Sequence, residues 1–109
     1  MKYSIVGIEH RKAEAFVKAQ PAGCDAVLRR EPNNPFDPSA VGVWIDGKHV
    51  GYIPKNQNVK LARRIDETGE PTLAMDSRVP PDGKAMRAKF VRSPNSNYPM
   101  VEVDDERQG

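Results

Sequence analysis

The chain has 109 residues, about one domain's worth, and its 38% hydrophobic content allows a modest core. Its apolar stretches are interrupted every few residues, so none has membrane-spanning length, and the N-terminus lacks the apolar segment and cleavage site of a signal peptide. The single cysteine, Cys24, cannot form an internal disulfide or build a zinc site alone, so we expect the reducing cytoplasm and no metal or cofactor.

Charge is unevenly distributed along the chain although the net charge is only +2. Residues 55–64 and residues 84–92 each contain four basic residues and no acidic one, whereas residues 66–82 and 102–106 are acidic. Such segregation can place a basic face on a nearly neutral protein. On charge alone, however, the favoured interpretation is that these residues form ordinary solvated faces.

The first half of the chain is predicted to form short strands, because ten prolines and eight glycines divide the sequence into short pieces. A first strand is predicted at residues 2–8, and one or two helical turns within residues 11–20 end at Pro21. Alternating side chains over residues 25–30 indicate a half-buried strand.

A loop rich in proline, asparagine and aspartate follows at residues 31–39, where the X-Pro steps Asn34-Pro35 and Asp37-Pro38 restrict the backbone. Strands predicted at residues 40–45 and 48–53 then enclose Asp46-Gly47. This pair favours a type I′ hairpin, because both turn residues need positive φ.

The second half contains the firmest helix prediction, which runs to about Thr68 with Asn56 or Asn58 as N-cap and Gly69 just after its end. Its inward apolar face is expected to comprise Val59, Ala62 and Ile65. Further strands are predicted at residues 72–79, 85–92 and 98–103.

Six or so short strands with one firm and one weaker helix favour a mostly-β fold. Closure into an OB-like barrel would remove exposed strand edges. We expect a single domain over residues 1–103 and an acidic, flexible tail over residues 104–109.

The most specific pattern lies between Leu28 and Lys55. It contains Arg30-Glu31-Pro32-Asn33-Asn34-Pro35-Phe36-Asp37-Pro38-Ser39-Ala40-Val41 and, further on, Gly51-Tyr52-Ile53-Pro54-Lys55. In order and spacing these motifs closely resemble the HIRAN family, whose signature joins an Arg-Glu-Pro-(Asn/Asp)-Asn-Pro-aromatic-Asp loop to a Val-Gly-(Tyr/His)-(Ile/Val)-Pro-(Lys/Arg) strand end before a helix. The first strand, with Val6-Gly7-Ile8, also fits.

The resemblance implies an OB-like barrel and a non-catalytic module that recognises the 3′ end of single-stranded DNA, as in fork-remodelling helicase-like ATPases. Carried over, Phe36 would stack on the terminal base and Asp37 would accept a hydrogen bond from the 3′ hydroxyl. Tyr52 and Lys55 would contact base and phosphate, and Asn34 would brace the loop.

Two more candidate DNA contacts follow the first strand. The family's DNA-end binders carry an arginine–aromatic pair there, whereas this chain has Glu9 and His10, with Arg11 one step later. His10 and Arg11 therefore complete the set of expected site residues.

These roles are physically coherent. An aromatic ring stacks on any base for about 1–3 kcal/mol. A carboxylate repels phosphate, so an aspartate suits the one position where a hydroxyl replaces the next phosphate. A nearby lysine restores attraction to the preceding phosphate.

Each residue also has a purely structural interpretation. Asn34 and Asp37 could make Asx-turns in the loop. Phe36 could pin the loop to the core, Tyr52 could be a half-buried strand residue, and Lys55 could simply be solvated.

Two other functions compete with DNA-end binding. The first is a protein-interaction adaptor that keeps the fold and docks on a nuclease or helicase, suggested by Glu9 and the acidic tail. The second is an enzyme acting on DNA ends, for which the sequence offers no catalytic motif and no carboxylate cluster.

Overall fold

Short antiparallel strands dominate the computed structural model, which describes residues 1–93 and 98–104. In the described part, the elements in chain order are β1 (Lys2–Ser4), α1 (Glu14–Ala19), β2 (Asp25–Arg30), β3 (Val41–Ile45), β4 (Lys48–Tyr52), α2 (Lys55–Thr68), β5 (Glu70–Pro71), a 3-10 helix (Thr72–Ala74), β6 (Lys84–Arg92) and β7 (Pro99–Glu102).

The strands form one curled sheet in the order β1-β7-β6-β2-β3-β4, with β5 paired to β6. Its two edges meet at Val6, just after β1, and Tyr52, the last residue of β4. These residues exchange backbone hydrogen bonds, with N···O distances of 2.8 and 2.9 Å. The expected mostly-β, OB-like architecture is confirmed.

Gly51 makes this closure possible. A Cβ at Gly51 would lie 2.5 Å from the backbone oxygen of Val6 and 2.9 Å from Cγ2 of Ile5. Any side chain would push the two sheet edges apart, since real Cβ atoms do not approach backbone oxygen so closely.

The predicted hairpin between β3 and β4 is confirmed. Asp46 and Gly47 both have positive φ, 50° and 78°, as a type I′ turn requires. The flanking residues Ile45 and Lys48 are paired across the two strands.

Helix α2 begins earlier than predicted, and the N-cap prediction is wrong. Pro54, in an extended conformation, occupies the N-cap position, and Lys55 is the first helical residue. Asn58 instead points into the protein and is only 2% exposed. A buried asparagine needs a polar partner, and Asn58 finds one in Asp37.

The prediction of the inward apolar face of α2 is partly wrong, because Asn58 faces the core. Val59 is 54% exposed, because Asn58 takes the inward position beside it. The buried side chains of the helix are Asn58, Leu61, Ala62 and Ile65.

Gly69 follows the last turn of α2 as expected, although its φ of −72° is not left-handed. Its N–H donates to the carbonyl oxygen of Ile65 at 2.7 Å. A Cβ there would lie 2.4 Å from that same oxygen, so tight packing, rather than backbone torsion, calls for glycine.

Helix α1 and strand β1 are both shorter than predicted. β1 ends at Ser4, with only the bridge at Val6 beyond it, and α1 starts at Glu14 after Lys12, whose φ is 54°. At the other end of α1, the Arg92 guanidinium donates to the backbone oxygens of Val17, Lys18 and Gln20, of which the Val17 oxygen also accepts the N–H of Gln20.

The strand predicted at residues 72–79 is wrong. The segment forms a 3-10 helix and turns, because the Thr72 hydroxyl donates to the Pro80 oxygen at 2.8 Å and the Asp76 carboxylate accepts the backbone N–H of Arg78 at 3.0 Å. The segment covers the outer side of the sheet, where Val27 of β2 packs with Val79. Strand β2 is therefore buried on both faces rather than on one.

The main core lies inside the curled sheet and beneath α2. Its largest fully buried side chains are Phe90, Ile5, Leu28, Ile45, Leu61 and Ile65. Within residues 1–93 and 98–104, no helix is long and apolar enough to cross a membrane. Residues 94–97, which connect the last two predicted strands, and residues 105–109 of the predicted tail lie outside the described residues.

Candidate functional site

The proline-rich loop (residues 31–40) is organised around Asn34. Its Oδ1 accepts the backbone N–H groups of Phe36 at 2.8 Å and Asp37 at 3.1 Å, and its Nδ2 donates to Glu31 Oε1 at 3.0 Å. The predicted Asx-turn is therefore confirmed at Asn34. A second occurs at Asp37, whose Oδ1 accepts the N–H of Ser39 at 2.9 Å.

Phe36 projects from this loop into solvent. Its side chain is 85% exposed, the most exposed large hydrophobic residue among those described. The interpretation that Phe36 pins the loop to the core is wrong. The loop is held by hydrogen bonds to Asn34 instead, which leaves the ring free to contact a ligand.

Asp37 is held from two sides. Besides the Ser39 N–H on Oδ1, Asn58 Nδ2 donates to Oδ2 at 2.8 Å. The Ser39 hydrogen bond, followed by those of Asn58 and the positive charges of Lys55 and Arg30, lowers the pKa of Asp37, while partial burial opposes the shift. The carboxylate is thus ionised at neutral pH, and each oxygen has a second lone-pair direction for a ligand donor.

Asn58 contacts the candidate site through Asp37 and was not among the predicted site residues. Its signal was available: an asparagine at the spacing of the inward residues Leu61, Ala62 and Ile65 indicates a buried polar partner. A polar residue on a buried helix face of a small domain is expensive unless it is satisfied.

Glu31 was also missed, although it belongs to the loop motif. Its Oε1 accepts both Asn34 Nδ2 and the Tyr52 hydroxyl, each at 3.0 Å. Burial, followed by this hydrogen bond to Glu31, raises the pKa of Tyr52. Glu31 therefore connects the loop to the end of β4 by hydrogen bonds. Tyr52 is half-buried at the end of a strand, as its purely structural interpretation predicted.

A groove of about 510 Å³ opens beside this connection. Arg11 reaches it from the turn after β1, with its Nε donating to the His49 oxygen at 3.5 Å. His10 is exposed on the same turn and is not among the described residues that line the groove, and Glu9 lines a different one. The principal groove side chains are Arg11, Arg29, Glu31, Asn34, His49 and Tyr52.

The floor of the groove is aromatic and neutral. His49 stacks on Trp44 at 4.9 Å between ring centroids and meets the edge of Tyr52 at the same distance. Burial, and then the nearby positive charge of Arg11, lower the pKa of His49 to about 4. His49 is therefore uncharged at neutral pH, and its Nε2 lies 3.1 Å from the Gly51 oxygen.

The walls of the groove carry paired charges. Arg29 Nη2 contacts the Asp82 carboxylate at 2.8 Å, and Arg29 Nη1 lies 3.6 Å from Glu31 Oε2. Arg29 is consequently neutralised by carboxylates on both sides, so the groove presents little net positive charge.

Lys55 stands exposed as the first residue of α2, and its charge acts on Asp37. The structure thus groups the predicted site residues into two neighbouring sets joined by Asn34. Phe36, Asp37 and Lys55 face solvent around the loop tip, while Tyr52 and Arg11 line the groove. Between residues 1–93 and 98–104, no cluster of His, Cys, Asp or Glu is arranged to hold a metal ion.

The protein is a small OB-like module. Its curled antiparallel sheet closes at Gly51, and an exposed, hydrogen-bonded loop lies beside the N-terminus of α2. The HIRAN domain model matches residues 1–91, and the chain belongs to the HIRAN domain family. The family is known for DNA binding, and the HIRAN domain is a DNA-binding module rather than a catalytic one.

Solved structures show the same fold. A protein from Lactobacillus plantarum aligns with a TM-score of 0.66 at 18% identity, covering 92% of this chain and 85% of the other. The HIRAN domain of human HLTF aligns with a TM-score of 0.60 at 17% identity, covering 93% of this chain and 69% of the other. No curated protein matches the sequence.

Proposed function

We propose that this protein is a non-catalytic module that binds the 3′ end of single-stranded DNA at the tip of the proline-rich loop. The observation that carries the proposal is the pairing of an exposed aromatic ring, Phe36, with a fixed and ionised carboxylate, Asp37, on one rigid loop. The family's DNA binding supports the nature of the ligand.

In this proposal the loop distinguishes strand ends because Asp37 attracts a 3′ hydroxyl and repels a phosphate in the same position. The terminal base stacks on Phe36, a contact worth about 1–3 kcal/mol that does not depend on sequence. The 3′ hydroxyl donates a hydrogen bond to Asp37, whereas a 3′ phosphate, or the next nucleotide of a continuous strand, brings negative charge against the carboxylate.

The remaining predicted residues are proposed to assist. Lys55 attracts the phosphate that precedes the terminal nucleotide. Tyr52 and Arg11 contact base and phosphate from the groove, His10 adds a contact from the exposed turn, and Asn34 braces the loop.

Rigidity of the loop should favour affinity. Asn34 fixes the backbone of Phe36, and Asn58 and Ser39 fix the Asp37 carboxylate before any ligand arrives. Groups already ordered in the free protein lose less conformational entropy on binding, so more of the contact energy appears as affinity.

The test is fluorescence-anisotropy titration of a labelled oligonucleotide with a 3′ hydroxyl. Phe36→Ala should weaken binding by about 1–3 kcal/mol. Tyr98→Ala, which removes an aromatic residue that is 47% exposed, is the matched control and should leave affinity unchanged.

Asp37→Asn tests the reading of the end separately. The amide lacks the charge, so the variant should lose discrimination between 3′-hydroxyl and 3′-phosphate strands. Asp25→Asn, at an exposed aspartate of β2, is its control. Unchanged discrimination in Asp37→Asn would contradict the assigned role.

An adaptor that docks on a nuclease or helicase is the second candidate. A groove of about 690 Å³ between α1 and the segment after β1 favours it, because the exposed Val6 and Tyr98 line it. A stoichiometric partner that co-purifies after nuclease treatment would support this role, whereas salt-sensitive binding to bare DNA ends would count against it. In either role we propose that the protein works in the cytoplasm as one domain over residues 1–103.

A further inference from the structure

The outer surface of α2 carries a basic ridge, defined here as Lys55, Val59, Lys60 and Arg63. Residues four apart lie above one another on a helix, so Lys55, Val59 and Arg63 form one row, and Lys60 borders it. All four side chains are exposed. The row extends about 12 Å along the helix axis, which is longer than a single nucleotide.

The positive charges of the ridge are unpaired within the part of the chain that the structure describes. The ion pairs found there engage Arg29, Arg30, Arg78 and Lys89, and none engages a ridge residue. Of the two acidic residues of α2, Asp66 is bound to Arg30 at 2.9 Å, and Glu67, one turn beyond Arg63, makes no ion pair among the described residues. The ridge is therefore a cationic surface, and not a set of charges neutralised within the fold.

The ridge begins at the proposed DNA-end site. Lys55 belongs to both, and Asn58, which holds the Asp37 carboxylate, lies on the helix between Lys55 and Val59. A strand whose 3′ hydroxyl meets Asp37 must leave the loop in its 5′ direction. Of the two surfaces next to the loop, the groove has Arg11, but its Arg29 is neutralised by Glu31 and Asp82. The ridge offers three basic side chains that make no ion pair among the described residues.

We propose that the basic ridge binds the phosphates of the same DNA strand on the 5′ side of its bound end. This inference rests on the proposed function, and it adds a length-dependent contribution to affinity. Lys60 and Arg63 attract the phosphates, and the exposed Val59 between the charges provides an apolar surface for a sugar or base.

The experiment titrates the whole chain with a trinucleotide and a dodecanucleotide, each with a 3′ hydroxyl or a 3′ phosphate. The native chain should bind the longer 3′-hydroxyl strand about tenfold more tightly than the shorter one. Lys60→Gln combined with Arg63→Gln should abolish this gain without changing trinucleotide affinity. The salt dependence, d log K/d log[salt], should weaken by about 1.4, since each phosphate contact on a single strand contributes about 0.7.

A matched control is Lys2→Gln combined with Lys18→Gln, which removes the same charge from exposed residues on β1 and α1. It should keep the length gain. Thermal unfolding of both double variants checks that each remains folded.

The outcomes separate the two proposals. End-selective trinucleotide binding with no length gain, or a gain equally lost in the control, overturns the ridge and leaves the proposed function standing. A gain lost only in the ridge variant, together with equal affinity for the 3′-hydroxyl and 3′-phosphate strands, supports the ridge as a strand-binding surface and overturns end recognition. No binding of any strand by the native chain overturns both.

Discussion

Replacing Asn58 by alanine tests the buried contact on which the site depends. The substitution removes the 2.8 Å hydrogen bond from Nδ2 to Asp37 Oδ2 in a residue that is 2% exposed. A hydrogen bond to a charged group contributes about 1.5–3 kcal/mol. Because Asp37 is only partly buried, water recovers some of this loss, so we expect a cost near the lower limit, about 1.5 kcal/mol. For a domain of this size that corresponds to a fall in melting temperature of about 6 °C.

Asn56→Ala is the matched control for this measurement. It is the same substitution on the same helix, but Asn56 is exposed, so its cost should stay within about 0.5 kcal/mol. Urea unfolding at neutral pH gives both free energies of unfolding. Equal values for the two variants would refute the structural role of Asn58.

The same contact predicts a pH dependence. The pKa of Asp37 is lowered in the folded chain, partly by Asn58, so the stabilisation is present above the unfolded value of about 3.9 and is lost as pH falls through the folded value. The gap in stability between the native chain and Asn58→Ala should therefore narrow in acid. A gap that stays constant would contradict the link to Asp37 ionisation.

Three further outcomes follow from the structure. The pKa of His49 is lowered to about 4, so the folded chain should lose about 2 kcal/mol of stability, after allowance for solvent screening, as pH falls from about 6.5 to about 4. Urea unfolding should show that His49→Phe removes this pH dependence, whereas replacement of the exposed His10 keeps it. Gly51→Ala should lower the free energy of unfolding by at least about 2 kcal/mol, because the new Cβ meets the Val6 oxygen. Gly23→Ala, with open space around it, should lower it by about 1 kcal/mol through its positive φ. Equal costs in denaturant unfolding would contradict the role of Gly51 in closing the sheet. Tyr52→Phe should lower stability by about 1 kcal/mol through loss of the hydrogen bond to Glu31, but it should retain DNA affinity. Loss of affinity in anisotropy titrations would show that the hydroxyl contacts DNA directly.

The sequence was informative where local chemistry decides the structure. The Asp46-Gly47 turn and the Asx-turn at Asn34 each follow from the conformational preferences of one or two residues. The end of α2 at Gly69 was also predicted, although close packing against the Ile65 oxygen is the reason for glycine there.

Features that depend on distant partners could not be predicted in this way. The spacing of Asn58 indicates a buried polar residue, but nothing local identifies its partner as Asp37, twenty-one positions earlier. The segment at residues 72–79 had strand-forming residues, yet its turns are fixed by contacts such as that of Thr72 with Pro80. Tertiary hydrogen bonds overrode local propensity in both cases.

For the candidate site, the sequence indicates which residues to consider but not how they contact one another. Phe36, Asp37 and Asn34 could be selected from the motif, but the motif alone does not show that Phe36 is exposed or that Glu31 joins Asn34 to Tyr52. Those facts depend on the curl of the sheet that brings the loop beside β4.

The most direct test of the account compares one oligonucleotide with a 3′ hydroxyl and the same oligonucleotide with a 3′ phosphate, titrated against the native chain at moderate salt. A charge placed against the ionised Asp37 carboxylate should weaken binding by at least about tenfold, or about 1.4 kcal/mol. A 5′ phosphate on the same strand should have no such effect. Equal affinity for the two 3′ ends would contradict the central claim that the Phe36–Asp37 loop reads the end of the strand.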